Sequence, residues 1–101
     1  MIICRVTGTV VCTQKDPRLA GVKFLLVQPL SLSDLAPEGK AFVAIDTVGA
    51  GMGEVVMVVS GSSARQTQAT TNTPTDASIM GIVDTIDSEG QIIFTKTADR
   101  G

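Results

Sequence analysis

The sequence of 101 residues contains no tryptophan, tyrosine or histidine and only three phenylalanines. Without histidine it lacks the commonest general base and the commonest nitrogen ligand for metals, so hydrolytic and metal-dependent chemistry is disfavoured. Without tryptophan and tyrosine the core must be built from Val, Ile, Leu, Met and Ala, which favours a β fold. We therefore expect a protein that is not an enzyme, with no catalytic residue, no metal site and no cofactor.

The chain also lacks a strong charge of either sign. Eight basic and ten acidic residues give a formal charge of −2, which provides no field to attract nucleic acid or an anionic membrane. No apolar run approaches the roughly 20 residues of a membrane helix. The start, MIICRVTGTVVC, has neither the basic segment nor the cleavage site of a signal peptide, so we expect a cytoplasmic protein.

Apolar residues, by contrast, make up 44% of the chain. Segment 22–28, VKFLLVQ, is apolar on both faces of a predicted strand, whereas a small barrel buries only one. Small domains this apolar often cover part of their surface with copies of themselves. We expect a homo-oligomer.

The two cysteines, Cys4 and Cys12, lie eight residues apart on one predicted strand, about 26 Å from each other and beyond disulfide reach. We expect both to be small buried side chains. A bond between chains stays open as an alternative.

Period-two alternation and turn residues predict six strands. They cover residues 2–12, 22–28, 41–47, 54–60, 79–86 and 91–96. In the first, Ile2, Cys4, Val6, Gly8, Val10 and Cys12 share one face, and Gly8 is a candidate bulge where a barrel wall bends.

The segments between the strands are polar. Ser63 to Gln66 fits a capping box and predicts one or two helical turns between the fourth and fifth strands. We expect one domain over residues 1–96 and a flexible tail over 97–101. The predicted fold is all-β: a small five-stranded OB-like closed barrel with one short helical insert and an additional C-terminal hairpin strand. A β-sandwich is the alternative.

The run Gly49-Ala-Gly51-Met-Gly53 invites comparison with a phosphate-binding loop. Such a loop must open a helix, whereas the residues that follow, EVVMVVS, are rich in β-branched side chains and predict a strand. The glycine run therefore predicts a tight corner between two strands.

Charged residues beside the strands need an explanation. Asp46 and Asp84 are solvated strand ends, or one of them accepts a charge-assisted hydrogen bond from Arg65. Lys15, Asp16 and Arg18 lie in a polar loop and are either solvated or in contact with a neighbouring protein.

If the fold is OB-like, a binding module for single-stranded nucleic acid or a small ligand is the alternative function. Such modules use stacking aromatic residues and a basic groove. Phe24, Phe42 and Phe94 instead have apolar surroundings typical of core residues, and the basic residues are scattered.

Four segments in this order, CRVTGTVVCTQK, LAGVKFLLVQPL, FVAIDTVGAGMGEVVMVVSGSSARQT and PTDASIMGIVDTID, resemble the EutN/CcmL family of bacterial microcompartment vertex proteins. The resemblance covers nearly the whole chain and is weakest after Asp87. It implies an OB-like barrel that forms homopentamers at the five-fold vertices of a polyhedral shell, beside hexameric shell proteins.

The resemblance also implies site roles. It places the Gly61–Gln66 loop and nearby barrel residues at subunit contacts or the five-fold axis: Ser62, Ser63, Arg65, Gln66, Asp46 and Asp84. It places Lys15, Asp16 and Arg18 on an exposed loop facing neighbouring shell proteins.

Overall fold

The protein is an all-β barrel with a separate hairpin, seen in a computed structural model that describes residues 1–13, 17–60 and 77–96. The strands are β1 (Ile2–Val10), β2 (Lys23–Pro29), β3 (Phe42–Asp46), β4 (Val55–Ser60), β5 (Ala77–Ile82), β6 (Thr85–Ser88) and β7 (Gln91–Thr95). One 3-10 turn spans Pro17–Leu19. The predicted helical insert and the predicted tail, residues 97–101, lie outside the described residues.

Five strands close the barrel in the order β1-β2-β3-β5-β4, and β1 pairs with both β2 and β4. Only the β3–β5 pairing of the barrel is parallel. β6 and β7 form a two-stranded antiparallel sheet of their own. The prediction of a five-stranded closed barrel with a C-terminal hairpin strand is thus confirmed, and the sandwich alternative is wrong.

Small and medium apolar side chains fill the barrel, as a sequence without tryptophan or tyrosine requires. The core comprises Cys4, Val6, Leu25, Val27, Ala44, Ala50, Val56, Val58, Ala77 and Ile79. Phe42 is half-buried and packs against this core, whereas Phe24 and Phe94 are half-buried outside it. The expectation that all three phenylalanines are core residues is therefore wrong for two of them.

A β-bulge interrupts β1 between Val6 and Gly8. Before the bulge Val6 pairs with the buried Val27, and after it Gly8 pairs with Leu26 and Val10 with Phe24. The predicted bulge at Gly8 is confirmed. The extra residue reverses the alternation, so the prediction that Gly8 and Val10 share the inward face of Cys4 and Val6 is wrong.

The position at which β1 ends also determines which of the two cysteines is buried. Cys4 is fully buried, but the strand ends at Val10, and Cys12 beyond it is exposed. Both thiols are free. The prediction that Cys12 is a buried residue on the same strand is wrong because the chain has already left the barrel.

The predicted fifth strand, residues 79–86, is two strands in the structure. The backbone N–H of Val83 donates to Val55 O over 2.8 Å, and the chain then turns at Asp84 and leaves the barrel. Among the described residues, β6 pairs with β7 and with no barrel strand. The charge of Asp84 is a local sign of the break, but apolar character resumes at Ile86, so the sequence predicts one strand where the structure has two.

Candidate assembly surface

The outside of the barrel carries apolar side chains that one chain leaves open. Four of them form what we call the outer wall: Leu26, Val43, Met57 and Met80. Leu26 pairs across strands with Gly8 and Val43, so Leu26 and Val43 share the face opposite the core, whereas Met57 pairs with Gly81, which is next to Met80, on β4 and β5. Val43 is 45% exposed and Met80 38% exposed. The outer wall is apolar surface available to a partner.

β4 contributes less of this surface than its sequence predicts. Val56 and Val58 point into the core, as expected of one face. On the other face, Val55 and Val59 are already buried within the single chain, and only Met57 is half-open. A neighbouring chain would therefore meet β4 mainly at Met57.

The glycine corner, residues 46–54, joins β3 to β4. Gly49 and Gly53 both have φ of +80°, which residues with a side chain rarely adopt. Gly51 does not have a positive φ, and a Cβ there would lie 3.5 Å from Glu54 Oε1. Val48 and Met52 are exposed on the corner, at 39% and 60%.

Asp46 fixes the start of the corner. Its Oδ1 accepts hydrogen bonds from the backbone N–H groups of Val48 and Gly49, both at 3.0 Å. Lys23 Nζ lies 3.7 Å from Asp46 Oδ2 and donates to Ala50 O over 3.1 Å. Only 2% of the Asp46 side chain is exposed, so Asp46 is not a solvated strand end.

Arg5 and Glu54 fix the end of the corner. Arg5 Nη1 donates to Gly53 O over 2.8 Å, and the Gly53 N–H donates to Val6 O over 2.9 Å. Glu54 Oε1 accepts from the Gly51 N–H at 2.6 Å. The corner is thus bonded to β1, to β2 and to its own backbone, and it is held in one shape.

Lys96 connects the corner to the hairpin, because its Nζ donates to Glu54 Oε2 over 2.5 Å. This bond and the Gly51 N–H lower the pKa of the Glu54 carboxyl below its ordinary 4.5. The same bond raises the pKa of Lys96 above 10.5. Both ions are therefore stabilised in the charged form.

The predicted site residues fall into separate regions. Asp46, Gly49, Gly51 and Gly53 meet at the corner. Asp84 is exposed at the root of the hairpin, where its carbonyl accepts from the Lys96 N–H at 2.7 Å. Arg18 is exposed in the 3-10 turn. Lys15, Asp16, Ser62, Ser63, Arg65 and Gln66 lie outside the described residues. The Arg65 pairing stays a prediction.

Four charged residues at the corner were not singled out from the sequence: Arg5, Lys23, Glu54 and Lys96. Glu54 directly follows the glycine run, which is a local signal. Arg5 and Lys96 lie 48 and 42 positions from their partners. Nothing local in the sequence links residues that far apart.

Among the described residues, no group of three or more acidic or cysteine side chains is placed to hold a metal ion. No helix in the part of the chain that the structure describes has the length and apolar character needed to cross a bilayer.

The family model for ethanolamine utilisation protein EutN/carboxysome matches residues 1–84, which end at the root of the hairpin. The chain belongs to the EutN/CcmL family. It is 46% identical over 96 residues to the microcompartment shell vertex protein EutN of Escherichia coli K12, covering 95% of this chain and all of that protein. It is 43% identical over 96 residues to the carboxysome shell vertex protein CcmL of Nostoc, covering 95% of each.

Solved structures of EutN/CcmL proteins share the architecture. CcmL of Gloeobacter violaceus superposes with a TM-score of 0.89 at 43% identity, over 95% of this chain and 98% of that one. GrpN of Rhodospirillum rubrum, described as a pentameric microcompartment shell protein, superposes with a TM-score of 0.78 at 46% identity. That superposition covers 87% of this chain and 99% of GrpN. The family resemblance expected from the sequence is confirmed.

Proposed function

We propose that five copies of this chain form a ring that closes the vertices of a polyhedral bacterial microcompartment shell. The observation that carries the proposal is the likeness to the pentameric shell protein GrpN at 46% identity. The vertex proteins EutN and CcmL, which the chain matches over 95% of its length, support the position in the shell. The location that follows is the shell itself.

The outer wall supports self-association on physical grounds. A cyclic ring joins two different surfaces of the same chain, and burying apolar area stabilises it by roughly 25 cal/mol per Å². Val43 and Met80 supply such area without disturbing the barrel core. The ring needs no ligand and no reacting group.

The role of the ring is geometric. Flat hexameric shell proteins tile a plane and cannot close a polyhedron without five-fold points, so a tapered pentamer supplies the curvature. The corner suits such a building block because hydrogen bonds from Arg5 and Lys23 and to Asp46 hold it in one shape. Hexameric shell proteins of the same compartment are the proposed partners.

Residue roles within the ring remain part of the proposal. Ser62, Ser63, Arg65 and Gln66 would lie at subunit contacts or the axis, with Asp46 and Asp84 near them. Lys15, Asp16 and Arg18 would face the neighbouring shell proteins. The charges of this last group suit contacts that form and dissociate during shell assembly.

Native mass spectrometry at micromolar concentration tests the ring. We expect a single species of five times the 10.5 kDa chain mass. A monomer would contradict the proposal. A monomer or dimer that binds single-stranded oligonucleotides with strong salt dependence would support the OB-type binding module instead.

Co-expression with the hexameric shell proteins of the compartment tests the vertex role separately. We expect closed polyhedral shells when this chain is present and open sheets or tubes when it is omitted, as seen by electron microscopy. Closed shells of equal yield without it would contradict the vertex assignment while leaving the pentamer in place.

A further inference from the structure

The β6–β7 hairpin contributes no residue to the buried core. Its strands pair with each other and, within residues 1–13, 17–60 and 77–96, with no barrel strand. No side chain of residues 85–95 is buried, and only Ile86, Ile93 and Phe94 are half-buried. A two-stranded hairpin without further support is marginally stable in water. The hairpin is therefore expected to be among the least stable parts of the described chain.

The attachment of the hairpin depends on one side chain. Among the hydrogen bonds between described residues, a single one joins residues 84–96 to the rest: Lys96 Nζ donates to Glu54 Oε2 over 2.5 Å. The backbone N–H of the same Lys96 donates to Asp84 O over 2.7 Å and closes the root of the hairpin. Because attachment and closure both constrain Lys96, loss of one weakens the other.

The turn at the tip of the hairpin is strained. Ser88 pairs with Gln91, so Glu89 and Gly90 form a two-residue loop. Their φ values are +54° and +80°. Hairpin loops with positive φ at both positions favour Asn, Asp or Gly, whereas other side chains are strained in the left-handed region. Glu89 therefore makes the hairpin less stable than asparagine would at the same position.

The pairing of the two strands is also interrupted. Ile86 pairs with Phe94 and Asp87 with Ile92, which makes Ile93 an extra residue on β7. The extra residue of a bulge stays out of the ladder and divides the regular pairing into shorter parts. The hairpin thus combines a strained tip, an interrupted ladder and one hydrogen bond to the rest of the described chain.

We propose that the β6–β7 hairpin is an order–disorder switch, which unfolds and refolds as one unit on an intact barrel. The Glu54–Lys96 bond and the turn at Glu89 set the fraction of molecules in which it is folded. The core cluster contains no hairpin residue, so the core stays packed when the hairpin unfolds. Proteins switch by such ordering and disordering of a segment. The switch belongs to the single chain and does not depend on the pentamer proposed above.

The two states differ in what the chain presents beside the glycine corner. When the hairpin unfolds, residues 85–95 become a segment that reaches up to about 36 Å at 3.3 Å for each extended residue. Glu54 then loses Lys96 but keeps its hydrogen bond from the Gly51 N–H. The reach and charge of the surface change, while the corner keeps its shape. A partner that binds the folded hairpin would favour the folded state by mass action.

Native-state hydrogen exchange, followed by NMR on the purified protein, tests the switch. The Lys96 N–H reports on the hairpin, and the Val6 N–H, which donates to Glu54 O over 2.9 Å, reports on the barrel. Relative to intrinsic rates, we expect the Lys96 N–H to exchange at least about a hundredfold faster than the Val6 N–H. We also expect its exchange to depend little on urea below the unfolding transition, since local opening exposes little surface.

Equal protection of the two amides, with equal dependence on urea, would show that the hairpin opens only when the barrel unfolds, and would overturn the switch. An unprotected Lys96 N–H would overturn it as well, because the hairpin would then have no folded state in solution.

A pair of lysine variants tests the role of the Glu54–Lys96 bond. Lys96→Met removes the side-chain bond and keeps the backbone N–H, so the unfolded fraction of the hairpin should rise about two- to fivefold while exchange at Val6 stays the same. Lys40→Met removes another exposed lysine and should change neither amide. Equal exchange of the hairpin in the two variants would overturn the role of this bond.

A pair of variants at the tip tests the role of the turn. Glu89→Asn relieves the strain and should lower the unfolded fraction about three- to tenfold. Glu89→Gln removes the same charge but keeps a side chain that is strained at positive φ, so it should leave exchange at Lys96 unchanged. Equal exchange in these two variants would overturn the role of the turn.

Discussion

At the scale of single residues, the corner depends on two glycines and tolerates a third. Gly49 and Gly53 have φ of +80°, whereas Gly51 does not have a positive φ. A Cβ at Gly49 or Gly53 would meet no atom within 4 Å, so the requirement for glycine comes from the backbone and not from crowding. The three evenly spaced glycines therefore have two different roles: Gly49 and Gly53 allow a positive φ, whereas Gly51 does not adopt one.

Alanine substitution separates these roles. Gly49→Ala and Gly53→Ala should each lower the free energy of unfolding by about 1 to 2 kcal/mol, because alanine is strained in the left-handed region. Gly51→Ala is the matched control, with its Cβ in ordinary contact with Glu54, and should change it by less than about 0.5 kcal/mol. Urea unfolding measures all three, and equal losses would contradict the backbone explanation.

The two cysteine thiols also differ from each other, because Cys4 is buried and Cys12 is exposed. Burial raises the pKa of the Cys4 thiol from 9.0 to about 11, whereas Cys12 is exposed. We expect a thiol reagent at pH 8 to modify Cys12 within seconds to minutes and Cys4 only after unfolding. Cys12→Ser should abolish the fast phase. A fast phase that persists in that variant would show that Cys4 is accessible in the native state.

At the scale of elements, long-range charged contacts fix the corner and the hairpin to the barrel. Arg5 on β1 and Lys23 on β2 bond to corner carbonyl groups, and Lys96 after β7 bonds to Glu54 before β4. The bulge at Gly8 changes a whole strand, because it places the side chain of Val10 on the outside of the barrel. These features position the corner and the hairpin on the barrel and place Val10 outside it.

The Glu54–Lys96 bond has a measurable pH dependence. The pKa of Glu54 lies below 4.5, so its stabilising contribution is complete above pH 4.5 and is lost as the pH falls through the lowered pKa. The pKa of Lys96 lies above 10.5, so its contribution is complete below pH 10.5 and is lost as the pH rises through the raised pKa. Between these limits the bond holds the root of the hairpin.

Lys96→Met should therefore raise the pKa of Glu54 towards 4.5, while the Gly51 N–H still favours the charged carboxylate. Carbon-13 NMR of the side-chain carboxyl measures the titration. Lys40→Met removes another exposed lysine and should leave the Glu54 titration unchanged. Identical midpoints in the wild type and Lys96→Met would show that the bond does not form in solution.

At the scale of the whole molecule, the barrel divides apolar residues between a core that folds the chain and a wall that remains open. Val56 is fully buried among core residues, whereas Val43, on another strand of the same barrel, is 45% exposed. Both are valines in strands, and their sequence surroundings are similarly apolar. The proposed ring assigns folding to the first group and assembly to the second.

Aspartate substitution separates folding from assembly. Val56→Asp buries an unpaired carboxylate and should cost more than about 4 kcal/mol, enough to prevent folding. Val43→Asp should leave a folded barrel, with a change of about 1 kcal/mol or less, and raise the dissociation constant of the ring at least about tenfold. Circular dichroism and native mass spectrometry measure the two effects. A stable pentamer from Val43→Asp would remove Val43 from the interface.

The sequence by itself determined the β class, the barrel strands to within a few residues, the bulge at Gly8 and the family. These features follow from local alternation, from turn residues and from the order of the motifs. Residues close together in the sequence encode all of these signals. The sequence could also exclude a phosphate-binding loop, because the residues after Gly53 form a strand.

Only the tertiary structure decided which face each apolar residue takes and which charges meet. One extra residue at the bulge reverses the alternation of β1, and the break at Val83–Asp84 separates two strands that the sequence predicts as one. The partners of Asp46 and Glu54 come from strands and loops distant in sequence. Barrel closure brings those segments together, so no local pattern encodes the contacts.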